Sequence, residues 1–385
     1  MLTTLAVENY RSLRSLVLPL HQLTLITGAN GSGKSSIYRS LRLLADAARN
    51  GAVAALAREG GLASTLWAGP EKVGRPGGGG RTKPVALRLG FAGEEFGYAV
   101  DFGLPSTNLG SKFSLDPIIR RESVWSGPLL RPAALMADRM AAGVRVRDET
   151  GAWSSEIGRI NSTDSMLSMY ADPRRSPELL LTRERIRSWR FYDQFRTDAN
   201  APARSSRIGT RTPVLDHEGA DLAAALQTIR EFGDADALDT AIDQAFPGSQ
   251  IHIAERDGWF ELKFRQHGLL RPLGASELSD GTLRYLLWVA ALLAFRPPEL
   301  FVLNEPETSL HPDLLPALAA LISTTARKTQ VIVVSHADPL IRSLTATAEE
   351  LGEDVDTVEL VKESGATVIS GQGRLDQPAW HWPTR

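Results

Sequence analysis

The stretch "LTLITGANGSGKSSIYRSL", residues Leu23 to Leu41, decides how the chain is read. An apolar run ends in "GANGSGKS", Gly28–Ser35, which fits G-x-x-x-x-G-K-[ST]. A helical pattern follows, with Ile37, Leu41 and Leu44 on one face. Glycines let the backbone curl so that its N–H groups line a concave nest, and the helix N-terminus adds positive potential suited to phosphates. Gly28, Ala29, Asn30, Gly31, Ser32, Gly33 and Ser36 would then surround the nucleotide. Lys34 would reach the β- and γ-phosphates, and Ser35 would bind magnesium. A glycine-rich turn matching by accident is expected at a level of about a percent or two, and the strand–loop–helix context lowers that further.

A second apolar run, Leu300–Leu303, leads into "NEPETSLHP", Asn304–Pro312. It reads as a buried strand delivering carboxylates to its end. "ELSDGTLRYLLWVAALL", Glu277–Leu293, precedes it, and "QVIVVSHADPLI", Gln330–Ile341, follows it. Ser279 suits a helix cap, Gly281 gives access to backbone, and His336 follows the apolar run Val331–Val334. Around these motifs helix and strand alternate from 283 to 350, which argues for a parallel sheet flanked by helices. Earlier, "PVALRLGFAGEEFGYAVDF", Pro84–Phe102, and "QIHIAERDGWFELKF", Gln250–Phe264, read as hairpins, the second turning at Asp257–Gly258. Strand-like segments continue through Val146, residues 160–232 read as mostly helical, and "GRPGGGGR", Gly74–Arg81, reads as a mobile surface loop. No heptads are sustained, so long coiled-coil arms are not expected.

Taken in this order, the motifs resemble the ABC-type P-loop ATPase heads of the RecF and SMC group. They are most similar to the stand-alone AAA-domain ATPases related to the OLD family. The resemblance covers the N-terminal strand–loop–helix and about residues 271–341, with weaker support from Arg58–Pro70 and Leu215–Leu226. It implies an α/β fold: one ABC-type head over residues 1–385 with a mixed central sheet and an antiparallel β-subdomain. Within it, 1–104 would form the N-terminal lobe, 105–248 an inserted, mostly helical region, and 249–385 the C-terminal lobe. It implies ATP and Mg2+ as cofactors, Glu305 activating the attacking water, and His336 contacting the γ-phosphate. Ser279 and Gly281 would meet the nucleotide of a second copy in a head-to-head homodimer, with Thr308–Pro312 running along the interface. Arg11, in "ENYRSL", would touch phosphate or be an ordinary surface arginine; both readings stay open. DNA metabolism or anti-phage defence is the implied setting.

Two departures stand out. Asn304 occupies the position where aspartate would hold magnesium's water shell; an amide keeps the oxygen and loses the charge. Weaker magnesium affinity and slow hydrolysis are expected, with Glu305 and Glu307 partly restoring the local field. No glutamine occurs between Lys34 and Gln194, so the residue that couples nucleotide to lobe movement has no candidate. Two functions therefore remain: an ATP hydrolase whose cycle acts on DNA, and an ATP-gated scaffold that recruits a separately encoded effector.

The bulk numbers narrow the setting. With 385 residues, 43% apolar and 23% charged, the chain is an ordinary globular protein, and a net charge of -2 provides no global field for nucleic acid. The absence of cysteine excludes disulfides and thiolate metal sites and suits a cytoplasmic location. The N-terminus lacks a signal-peptide h-region, and the apolar segment Leu283–Phe295 is too short for a membrane span. One local patch, Arg183–Arg211, sets eight arginines against three acids, interleaved with Trp189, Phe191, Tyr192 and Phe195. It is either a DNA surface that stacks bases or a helix with aromatics in the core and arginines paired. Asp354 and Asp356 have the spacing of a Toprim nuclease pair, but the stretch after His336 is too short for that domain, and a solvated turn is expected.

Overall fold

The computed structural model describes residues 1–49, 51–69, 86–105, 112–148, 150–154, 159–352, 354–373 and 375–384. The glycine-rich segment Gly74–Arg81 lies outside them. Two larger sheets and one small one organise the chain, with strands numbered in chain order. The first sheet is antiparallel throughout and contains β1 (Leu2–Tyr10), β2 (Leu13–Pro19), β4 (Leu87–Gly93), β5 (Phe96–Gly103), β6 (Ile118–Ser126), β7 (Leu135–Met140), β8 (Gly143–Arg147) and β9 (Trp153–Ser154), in the order β2-β1-β4-β5-β6-β7-β8-β9. The turn between β4 and β5 falls at Glu94–Glu95, within the hairpin read from the sequence.

The second sheet is mixed. It takes β3 (Leu23–Gly28), β10 (Arg190–Tyr192), β15 (Leu300–Asn304), β16 (Gln330–Val334), β17 (Asp356–Glu363) and β18 (Ala366–Ile369), in the order β10-β15-β16-β3-β17-β18. β15 runs parallel to both β10 and β16, and all four residues from Leu300 to Leu303 are buried, as a central parallel strand requires. The small sheet joins β11 (Arg207–Ile208), β12 (Gln250–Arg256), β13 (Trp259–Arg265) and β14 (Leu273–Gly274). β12 and β13 turn through Asp257 and Gly258, both at positive φ, as the Asp-Gly pair predicts.

The chain forms two compact units. The first holds 1–21, 26–189 and 358–385; the second holds 22–25 and 190–357. In the second unit the helix Asp280–Leu292 is buried from Leu283 to Leu292 on every side, which explains an apolar sequence interrupted there only by Arg284. Each fully buried leucine there contributes about 1.5–3 kcal/mol. Helices Leu315–Ala326 and Asp338–Leu351 begin with proline in their first turn, where its missing N–H costs nothing.

Residues 105–248 are not mostly helical as expected, and the strand-like segments read through Val146 are β6 to β8. β6 to β9 continue the antiparallel sheet, because alternation keeps Val124, Val144 and Val146 on a buried face. The helices of this region are Met166–Met169, Pro177–Ser188, Leu222–Phe232 and Ala235–Ala245, and β10 interrupts them. The β17–β18 hairpin was not anticipated either. Its Ser364–Gly365 turn has both residues at positive φ, and Asp356, thought to sit in a solvated turn, opens β17.

Candidate functional site

In the first unit, β3 ends at Gly28, and the loop to Gly33 closes onto the helix Lys34–Ala48. Gly28 has φ +137°, and a Cβ there would lie 2.3 Å from the Leu360 carbonyl oxygen. Gly33 has φ +116°, with its Cβ position 2.2 Å from Thr367 Oγ1. Only glycine fits such close approaches. The Lys34 ammonium donates to the carbonyls of Gly28 at 2.6 Å and Ala29 at 3.0 Å, so its charge sits at the mouth of the loop. Among the described residues, the N–H groups of Asn30, Gly31 and Gly33 have no hydrogen-bond partner. No acidic residue occupies the first helical turn. Free donors, a helix N-terminus and an ammonium together form an anion nest. Ser35 is exposed at that N-terminus and Ser36 is half-buried behind it.

The nest is supported from outside the motif. Thr367, buried in β18, donates through Oγ1 to the Ser32 carbonyl at 2.6 Å. With that proton committed, the Ser12 hydroxyl supplies the hydrogen for its 2.8 Å contact with Thr367 Oγ1. Arg11, at φ +50°, turns instead to Glu59, with guanidinium contacts of 2.5 and 3.0 Å. Tyr10 shares that carboxylate at 2.8 Å, and burial followed by the Glu59 bond pushes its phenol well above the ordinary value. The Arg11 side chain is thus engaged in a structural ion pair.

In the second unit, three parallel strands bring chemistry to one edge. β15 ends at Asn304–Glu305, β16 leads to Ser335–His336, and β10 leads to Asp193. Ligands in α/β sheets bind at this carboxyl edge. Glu305 adopts φ +49°, while its N–H donates to Val334 O at 2.7 Å; the strand stops there and the side chain turns out. A non-glycine residue in this region costs about 1–2 kcal/mol, a departure found often at working sites. His336 Nδ1 lies 3.4 Å from Glu305 Oε1 and 3.8 Å from Glu307 Oε1. Glu307 is buried and accepts from Ser335 Oγ at 2.7 Å, while its Oε2 has no partner. Asn304 Nδ2 donates to Asp193 Oδ1 at 2.8 Å, and Asn304 Oδ1 is buried without a partner.

Ser279 caps its helix, accepting from the Thr282 N–H at 3.2 Å, and is exposed; Gly281 is half-buried. The loop before it is pinned by Arg204, which donates to the carbonyls of Ala275 at 3.0 Å and Leu278 at 2.8 Å and pairs with Asp280 at 2.6 Å. Arg284, buried in the same helix, donates to Thr308 O at 2.8 Å and to Phe195 O and Thr197 Oγ1 at 3.1 Å. Burial lowers its guanidinium pKa.

In the Arg183–Arg211 stretch, Trp189, Phe191, Tyr192 and Phe195 are all buried. Arg183, Arg185, Arg187, Arg196 and Arg204 each pair with a carboxylate. The aromatic rings belong to the core and offer no stacking face. Sequence reasoning missed Thr367, Ser12, Asp193, Ser335, Arg204 and Arg284. The Ser364–Gly365 turn could have signalled the hairpin that carries Thr367.

The residues suit the ligands their pattern implies. In the first unit the nest fits a polyphosphate and the Ser35 hydroxyl is a hard donor of the kind magnesium takes; in the second, the unpartnered Asn304 amide oxygen is a donor of the same kind. A family model described as "AAA domain, putative AbiEii toxin, Type IV TA system" matches residues 23–343. No curated protein matches the sequence. Among solved structures, the chain is similar to an Smc head bound to the C-terminal winged-helix domain of ScpA, with TM-score 0.51 and 14% identity over 96% of this chain and 97% of that one. It is also similar to the Smc head domain with an extended coiled coil bound to the C-terminal domain of ScpA, from Pyrococcus furiosus, with TM-score 0.50 and 12% identity over 96% and 95%. These likenesses show the ABC-type head fold. No helix of the described residues is long and apolar enough to cross a membrane.

Proposed function

The chain belongs to this AAA-domain family of ABC-type, SMC-like P-loop ATPases, and from that premise we propose that it binds and slowly hydrolyses ATP, pairing head to head with a second copy as it does so. The observation that carries this reading is the phosphate nest: unpartnered N–H groups of Asn30, Gly31 and Gly33, with the Lys34 ammonium at its mouth. In this reading the nest and Lys34 hold the phosphates. Magnesium, when bound, neutralises phosphate charge, with Ser35 and Asn304 as its protein donors. Glu305 accepts a proton from the attacking water, and the nearby His336 ring restrains its carboxylate. Exposed Ser279 and the accessible backbone at Gly281 face the partner's nucleotide, helped by the helix N-terminus they open. The biological setting proposed is DNA metabolism or defence against phage, in the cytoplasm.

The amide at 304 favours a second reading, an ATP-gated scaffold that turns over poorly and recruits a separate effector. Steady-state phosphate release, with and without DNA, separates the two. The hydrolase reading expects turnover that disappears in Glu305→Gln while nucleotide binding persists, and binding itself that is lost in Lys34→Ala. A native protein that binds ATP and dimerises without releasing phosphate supports the scaffold.

A further inference from the structure

The carboxylate that position 304 lacks is present one strand away. β10 and β15 pair in parallel with Tyr192 opposite Leu303, which sets Asp193 beside Asn304 at the same sheet edge. Asp193 Oδ1 accepts from Asn304 Nδ2 at 2.8 Å. A carboxylate only accepts, so the amide nitrogen must face Asp193 and the amide oxygen must face away. That oxygen is buried and has no partner. Asp193 itself remains exposed, and its charge is therefore available to the edge.

We propose that Asp193 and Asn304 act as one split magnesium ligand, in which Asn304 presents the oxygen and Asp193 fixes the amide and supplies the negative charge. The inference rests on the reading of the chain as a magnesium-dependent ATP-binding protein. Asp193 is a positioning residue in this arrangement. Its hydrogen bond fixes the amide with Nδ2 toward Asp193 and Oδ1 turned away from it, and draws electron density toward that oxygen. Carboxylates behind metal ligands act this way, and removing one typically weakens metal affinity by about 10–100-fold. The arrangement also alters what is expected of restoring aspartate at 304. Asn304→Asp alone places two carboxylates within hydrogen-bond distance, where they resist joint ionisation.

The test is a charge swap. Mn2+ serves as the probe, its binding followed by electron paramagnetic resonance in the presence of a non-hydrolysable β,γ-imido ATP analogue. Native protein, Asp193→Asn, Asn304→Asp and the double variant Asp193→Asn/Asn304→Asp are compared. The expected result is Mn2+ affinity about tenfold or more weaker in Asp193→Asn, no gain in Asn304→Asp, and recovery in the double variant. Affinity for the analogue in EDTA should be the same in all four. Unchanged Mn2+ affinity in Asp193→Asn, or a double variant no better than Asp193→Asn, overturns the proposal. An equal loss of analogue affinity in EDTA overturns it too, since Asp193 would then be merely structural. If the native protein binds neither analogue nor Mn2+ with it, the functional reading fails along with the inference. If it binds both and Asp193→Asn does the same, only the inference fails.

Discussion

Replacing Thr367 by valine tests whether the phosphate nest depends on a residue far from the motif in sequence. Valine keeps the shape and removes only the hydroxyl. That hydroxyl donates to the Ser32 carbonyl at 2.6 Å and accepts from Ser12 at 2.8 Å, in a position where Thr367 is 1% exposed. The Ser32 carbonyl then loses its donor from Thr367. A buried polar group left unsatisfied costs about 1–3 kcal/mol, which for a unit of some 200 residues lowers the melting midpoint by about 2–12 °C. The loop rests on this contact, so ATP affinity should fall as well; each 1.4 kcal/mol transmitted to the site is about tenfold. Calorimetric titration with ATP and a thermal melt measure the two effects. Thr367→Ser, which keeps the hydroxyl, should bind ATP like the native protein. Thr367→Val with native ATP affinity and a native midpoint would refute the argument that β18 holds the nest in shape.

Three other perturbations have definite outcomes. Arg139 is fully buried beside the fully buried Glu122, which Tyr98, Ser165 and the Met166 N–H also hold, so Arg139→Leu leaves that charge hydrogen-bonded but without its counter-ion and should cost about 3–5 kcal/mol in chemical denaturation. The Arg271 guanidinium and then the Gly274 N–H hold the Glu277 carboxyl down at about 2, against an ordinary 4.5. The folded value is the lower one, so the stabilisation is complete above about 4.5 and disappears as pH falls toward 2; the difference in melting midpoint between native protein and Glu277→Gln should shrink across that window. Removing Arg204 frees the loop before Ser279, and amide exchange of residues 275–280 in Arg204→Met should speed up about tenfold, corresponding to roughly 1.4 kcal/mol.

What the sequence made legible was whatever is contiguous. Gly28–Ser35 and Asn304–Glu305 each encode a strand, a turn and its chemistry within a dozen residues, and local sterics fix their shape. Asp193 was illegible because its partner lies across a parallel pairing of distant strands, and β10 is only three residues long. Thr367 depends on a late hairpin whose turn was readable but whose destination beneath Gly33 was not. Arg11 was ambiguous because Glu59, which claims it, sits in the turn after a separate helix, Ala52–Arg58. The aromatic and arginine patch misleads by composition: the same residues serve a stacking surface or a core, and only burial distinguishes the two.

Arg284 grips the segments around Thr308 and Phe195 through main-chain oxygens, which every residue type possesses. The side chains at 195 and 308 can therefore change without untying this knot, and inspecting them would never reveal that the knot exists. Its removal requires changing the arginine itself, which makes position 284 the natural place to install an engineered slack between the capped helix and the acidic strand end, leaving every proposed ligand in place.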